Sequence, residues 1–292
     1  MSLIGKALCL LILALISANV SARAILITAP ATNSPLINEF ISALRTALPQ
    51  DEVAVSSATA PDADTAEVII TLGSDMLNWR LQSPLQTPSI AIYVNSHALP
   101  PQPLPAYLHV VLANPKPLRQ LRLAKHLLPR LRTAGLLYAD NQLALKDEWA
   151  QALAASGLQQ RSATVKRPDT LTRELLRVLE QSDALIGIDA PTIYNADNLK
   201  AILLTSYSRN KVLIGPSAPF IEAGSLSTTY STAEDMARSV ALLLQQGELK
   251  SGTSYPAFFS VLSNAQVARS LGLPIPDDVK LSRELTELEQ AP

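Results

Sequence analysis

The chain has 292 residues, 24 Lys+Arg against 25 Asp+Glu, 48% hydrophobic residues and only 4% aromatics. So even a charge balance carries no footprint for nucleic acid or for an anionic membrane surface. The low aromatic content means that Leu, Ala, Ile and Val must build the core, a composition that suits parallel sheets covered by helices.

Lys6 precedes an apolar run from Ala7 to Ile16, followed by small and polar residues up to Ala24. This pattern reads as a secretory signal peptide over residues 1–22. The run is about ten residues, short of the roughly 20 that span a bilayer as a helix. Cleavage is expected after Ala22 or Ala24, and the mature chain is expected in the periplasm, beginning at Arg23 or Ile25. Cys9, the only cysteine, lies inside the apolar run and not behind a lipoprotein-type signal. The mature chain is therefore expected to have no disulfide, thiol nucleophile or thiolate metal site. Its length fits one or two substantial cores.

In chain order, a strand is predicted over 24–29, then a helix through Leu36, Phe40, Leu44 and Leu48. Strands follow at 52–56, 67–72 and 89–94, with a short helix over 74–81. Pro100, Pro103 and Pro105 break the rhythm before a strand at 108–112, and Asn114-Pro115-Lys116-Pro117 reads as a crossing loop. The second unit runs helix 118–128, strand 134–138, helix 143–156, strand 160–165, helix 171–181 and strand 184–188. It continues with helix 195–208 and strands 212–214 and 225–229. A helix over 233–246 and a strand over 257–261 follow, and the polar end beyond Pro276 is expected to fray.

This rhythm predicts an α/β protein of two Rossmann-like, doubly wound lobes joined by a hinge, with a single barrel as the alternative that the proline-rich break disfavours. In such sheets ligands sit outside the carboxyl ends of the strands. The loops to inspect are therefore Gly73-Ser74-Asp75, Tyr93-Val94-Asn95, Asp140-Asn141, the segment from Asp189 to Asn195, and Gly215-Pro216-Ser217. Ser74 reads either as an N-cap or as a ligand contact beside free backbone N–H groups. Tyr93 reads as a ring with a polar handle or as a residue packed under the proline-rich loop. Asp189 suits a ligand ammonium, with Thr192 and Tyr194 adding hydroxyl and ring contacts; Thr192 and Ser217 equally suit helix and turn caps.

The sequence contains no Gly-x-Ser-x-Gly elbow, no phosphate loop, no His-Glu-x-x-His and no Gly-x-Gly-x-x-Gly after a strand. His97, His109 and His126 lack metal-ligand spacing and read as packing or hydrogen-bonding residues. The acidic pairs Asp62/Asp64, Asp147/Glu148 and Glu234/Asp235 read as solvated groups in a loop or at helix starts.

Several segments in combination resemble a known family. Leu127-Leu128-Pro129-Arg130-Leu131 leads to Ala134-Gly135-Leu136-Leu137-Tyr138. Asp183-Ala184-Leu185 precedes Asp189, and Ala223-Gly224-Ser225-Leu226 precedes Tyr230. The segment from Asn264 to Pro276 is close to an Asn-x-x-x-Ala-x-x-Leu-Gly-x-x-Ile-Pro closing pattern. Over residues 114–276 the chain resembles the substrate-binding proteins of ABC transporters with the type I periplasmic-binding-protein fold, in an uncharacterised or amino-acid-related branch. Where the family often has Pro-Thr-Asp-Asn, this chain has Pro191-Thr192-Ile193-Tyr194, so only Pro191 and Thr192 carry over directly.

The resemblance implies lobe I over 23–112 and 232–252 and lobe II over 113–231 and 253–292. It also implies a cleft for a small solute. The sequence-level expectation is a monomeric, non-enzymatic receptor without cofactor or metal. It closes on a neutral or zwitterionic solute through Ser74, Tyr93, Asn141, Asp189, Pro191, Thr192, Tyr194 and Ser217, and delivers it to an ABC permease. The alternative is a module of the same fold that partners a membrane sensor or an outer-membrane uptake system; an enzyme ranks third.

Overall fold

The computed structural model describes residues 22–30, 34–57, 63–140 and 142–290. The expected signal through residue 21, with Cys9, and also Asp62 and Asn141 lie outside the described residues. Strands β1 (Ala24–Thr28), β2 (Glu52–Ser56), β3 (Val68–Leu72), β4 (Ser89–Val94) and β5 (Leu108–Leu112) begin the chain, with helices α1 (Pro35–Ala47) and α2 (Gly73–Gln82) between them. The second unit holds α3 (Pro117–Leu127), β6 (Thr133–Ala139), α4 (Leu143–Ser156), β7 (Gln159–Val165), α5 (Leu171–Glu180) and β8 (Ala184–Ile186). It continues through α6 (Ala196–Tyr207), β9 (Val212–Ile214), the short α7 (Pro219–Glu222) and β10 (Ser227–Tyr230). The closing elements are α8 (Ala233–Gln245), β11 (Gly252–Ser254), β12 (Ser260–Ser263), α9 (Ala265–Ser270) and α10 (Asp278–Gln290).

These strands form two six-stranded sheets, ordered β11-β5-β4-β3-β1-β2 and β12-β10-β9-β8-β6-β7. The pairings are parallel except β10 with β12. The apolar runs of β3 and β8 are buried at every residue, as sheets covered on both faces require. In the first lobe α1 and α8 cover one face, where Phe40 and Leu44 meet Met236, Ala237 and Val240 over Ile25, Ile27, Ile70 and Ile92. Leu77 of α2 lies on the other face with Ala91 and Val110. The main core of the second lobe is the one in which α3 to α6 enclose β6, β8 and β9.

Three sequence expectations need correction. The chain returns to the second sheet between Ser254 and Ser260, a few residues beyond Thr253, because β11 still pairs with β5. The strand expected at 257–261 is displaced to 260–263, where it runs antiparallel to β10. The expected frayed end is the helix α10. Leu281 and Leu285, about one turn apart, pack with Leu123, Phe259 and Val261. Near its end Glu289 accepts from Arg119 Nε and Nη2 at 2.9 Å each, while the Arg119 guanidinium stacks 3.6 Å over Phe259. Burial alone would raise the Glu289 carboxyl, but the hydrogen bonds and charges of Arg119 and Lys116 outweigh it and hold it below its ordinary range.

Candidate functional site

The carboxyl ends of the two sheets face each other, and hydrogen bonds across the gap fix that arrangement. Asp189 follows the end of β8, and Ser96 and His97 follow the end of β4. Ser96 Oγ donates to Asp189 Oδ2 at 2.7 Å and His97 N donates to the same oxygen at 2.9 Å. His97 Nδ1 lies 2.7 Å from Asp189 Oδ1. The carboxylate is 10% exposed and the imidazole 39%, so the pair sits at the edge of the covered region.

Each partner is held from its own side. Ser96 N donates to Asn114 Oδ1 in the crossing segment at 2.6 Å. On the other side Gln142 Nε2 donates to the Asp189 carbonyl at 2.6 Å, while Gln142 Oε1 accepts from Ala139 N at the end of β6. Gly187 lets this loop form, since a Cβ there would lie 2.5 Å from Pro216 Cδ and 2.7 Å from Pro216 N. A second bridge joins Tyr255 Oη to Glu148 Oε1 at 2.6 Å. Burial, then the hydrogen bond and charge of Glu148, push the Tyr255 phenol far above its usual value, so it remains the donor. Between these bridges a gap of about 10 Å³ remains, lined among others by Asn114, Gln120, Trp149 and Pro216. It holds at most about one water.

The strand ends of the first lobe carry hydroxyls without partners among the described residues. Thr28 and Thr71 are fully buried and stand side by side in the register of β1 and β3. Alternation puts them on the α2 face, shared with Leu26 and Ile69, which pack with Trp79. α2 itself begins at Gly73, whose φ of +84° turns the chain directly from strand to helix, and no side chain caps it. Tyr93 ends β4 on the opposite face, edge-on to Phe40 with ring centroids 6.0 Å apart. Its hydroxyl is buried and unpartnered, and its φ of 56° coincides with a register shift between Ile92 and Val94. A bulky residue in the left-handed region together with an orphaned hydroxyl is costly on both counts.

The remaining candidates separate. Ser74 is half-buried in the first turn of α2. Pro191 and Thr192 are exposed; their carbonyls accept from Asn195 Nδ2 and Asn198 Nδ2. Asn195, not Thr192, caps α6, accepting from Asn198 N. Tyr194 is not a cleft residue: it is 5% exposed in the second core, edge-on to Phe220, with its hydroxyl 3.4 Å from the Ile186 carbonyl. Ser217 is half-buried, and its carbonyl, not its hydroxyl, starts the turn into α7 by accepting from Phe220 N.

Sequence reasoning missed Ser96, Gln142 and Tyr255 as site residues and gave His97 only a general hydrogen-bonding role. For Ser96 and His97 the polar run Asn95-Ser96-His97 immediately after β4 was the available signal. Two acidic groups read as solvated are engaged instead: Glu148 in the bridge to Tyr255, and Asp235 in a capping box with Thr232 at the start of α8.

Two sheets of mostly parallel strands, their carboxyl ends opposed across a gap and the chain crossing repeatedly between them, define the type I periplasmic-binding-protein fold. Solved structures agree. A substrate-binding protein with adhesive properties from Clostridium difficile, in its ligand-free open form, superposes with a TM-score of 0.66 at 13% identity, covering 88% of this chain and 97% of that one. An ABC domain in complex with L-Trp from Streptococcus pneumonia and a conserved domain protein from Vibrio cholerae each give a TM-score of 0.54 at 14% identity, covering 89% of this chain and 98% of theirs. No family model and no curated protein matches the sequence.

Proposed function

We propose that the chain is an exported, periplasmic solute receptor that binds a small neutral or zwitterionic molecule between its lobes and hands it to an ABC permease. The observation that carries this reading is the set of buried hydroxyls without partners among the described residues at the carboxyl ends of β1, β3 and β4, where open α/β sheets bind ligands. The strained Tyr93 adds to it, since such outliers concentrate at ligand clamps. The likeness to a substrate-binding protein and to an ABC domain solved with L-Trp supports an amino-acid-like solute. Contacts on both lobes give such a ligand differential affinity for the closed state.

A second reading, a module of the same fold that presents its lobes to a membrane sensor or uptake system, is favoured by the small volume left between the interlobe bridges. A thermal-shift screen of amino acids, sugars and other small metabolites on the purified mature protein, followed by scattering with and without the best hit, separates the two. A solute that raises the melting temperature and changes the radius of gyration supports the receptor. A protein that responds to none of them sinks it. N-terminal sequencing of periplasmic extract is expected to find a chain starting near Arg23; an intact Met1 contradicts export.

A further inference from the structure

We propose that Ser96 and His97 form a carboxylate cradle on the first lobe, and that Asp189 of the second lobe occupies it as a built-in latch which a solute carboxylate must displace. The displacement part rests on the receptor reading above; the cradle and latch do not.

The geometry is that of a carboxylate site. Ser96 Oγ and His97 N converge on one oxygen of Asp189, and His97 Nδ1 takes the other, all within 2.7–2.9 Å. Charge-assisted bonds to both oxygens of one carboxylate are the strong kind. The donors are arranged by the first lobe and the crossing segment, without help from Asp189. Ser96 N is tied to Asn114 Oδ1, Ala98 N donates to the Asn95 carbonyl and Leu99 N to the Ser96 carbonyl. The cradle therefore persists when its occupant leaves.

The occupant depends on the cradle in turn. Among the described residues its side-chain hydrogen bonds come from the other lobe, and its partners are Ser96 and His97, not a Lys or Arg. Its backbone is separately pinned by Gln142, so the loop keeps its place while the side chain is free to exchange. With Asp189 seated, the adjoining gap of about 10 Å³ has no room for a second carboxylate. A solute then pays for opening the latch: its apparent affinity falls by the fraction of molecules in which the cradle is free. This narrows the cargo to solutes bearing a carboxylate, which includes zwitterions and excludes plain sugars.

The test uses the purified protein, its Asp189→Ala variant and a Ser96→Ala/His97→Ala variant that removes the cradle from the opposite lobe. The probe is sodium acetate, compared with sodium chloride at equal ionic strength. In chloride both variants are expected to show a larger radius of gyration than the parent by small-angle scattering. Acetate in the millimolar range is expected to move the His97 imidazole ¹⁵N resonances of Asp189→Ala back towards the parent's without restoring the parent's radius, because free acetate is not tied to the second lobe. It is expected to leave the parent and the cradle variant unchanged.

If both variants keep the parent's radius, the latch is refuted; if acetate acts no better than chloride on Asp189→Ala, the cradle is refuted. Should Asp189→Ala fail to fold, the cradle variant alone decides the latch, and acetate shifts of His97 in Asp189→Asn decide the cradle. Enlarged variants and acetate shifts of His97 alongside an empty solute screen retain cradle and latch while the receptor reading fails. Tight binding of a solute without a carboxylate retains the receptor and overturns the displacement.

Discussion

Replacing Tyr93 by Phe isolates one atom. The ring keeps its edge-on contact with Phe40 and the backbone keeps its positive φ, so only the buried hydroxyl without a partner is removed. A buried, unsatisfied polar group costs about 1–3 kcal/mol. The unliganded variant is therefore expected to be more stable than the parent by about that amount, and each kcal/mol raises the melting temperature by roughly 2–4 °C in a chain of this size. If the solute supplies the missing partner, its loss weakens binding by about 0.5–1.5 kcal/mol, a few-fold to about tenfold in Kd. Burial, then the Glu39 charge, push the phenol far above its ordinary value, so both effects are expected to be flat from about pH 5 to 9. Thermal melts without solute and titration calorimetry with it measure the two halves. A Phe variant that melts at or below the parent temperature refutes the reasoning, because the hydroxyl then has a partner in solution.

Tyr194→Ala, which empties a position 5% exposed in the second core, is expected to cost about 3–5 kcal/mol in urea unfolding. Weakened solute binding at unchanged stability would return Tyr194 to the cleft. Gly187→Ala forces a Cβ to within 2.7 Å of the Pro216 nitrogen and is expected to cost about 1–3 kcal/mol or more by overpacking, read from the same unfolding curves; a neutral variant would mean the loop is free to move. Because the Glu289 carboxyl is held below its ordinary 4.5, its stabilising effect is complete above the unfolded-state value and is lost as pH falls through the lower folded-state value. Urea midpoints measured against pH are expected to drop less steeply below about pH 4.5 for Glu289→Gln than for the parent, and identical slopes would show that the Arg119 pair does not set the acid response.

The sheets were legible because parallel strands buried on both faces leave short, β-branched runs such as Val68-Ile69-Ile70, and the helices between them keep a helical period. β11 was not, being three residues that include Gly252 and carry no alternation. The strand-end rule found the loop after β8 but not which side chains turn inwards: Ile193 and Tyr194 are drawn into the core, and the interlobe contact falls to Asp189. Ser96 and His97 were invisible as its partners because they lie 93 and 92 residues away in sequence. The last helix was hidden for a related reason. Leu281 and Leu285 are its only buried residues, and the Arg119–Glu289 clamp joins positions 170 residues apart.

The helix α8 covers half of one face of the first sheet, yet it is made only after the whole parallel part of the second sheet. On the ribosome, Ile25, Ile27, Ile70 and Ile92 emerge early and wait for Met236, Ala237 and Val240 to seal them. Until residue 245 is out, that apolar face stays open to water or to a chaperone, whatever the second lobe has already achieved. Neither lobe is one continuous stretch of chain: the first waits for β11 at residue 254 and the second for β12 at residue 263, so both are completed only near the end of synthesis.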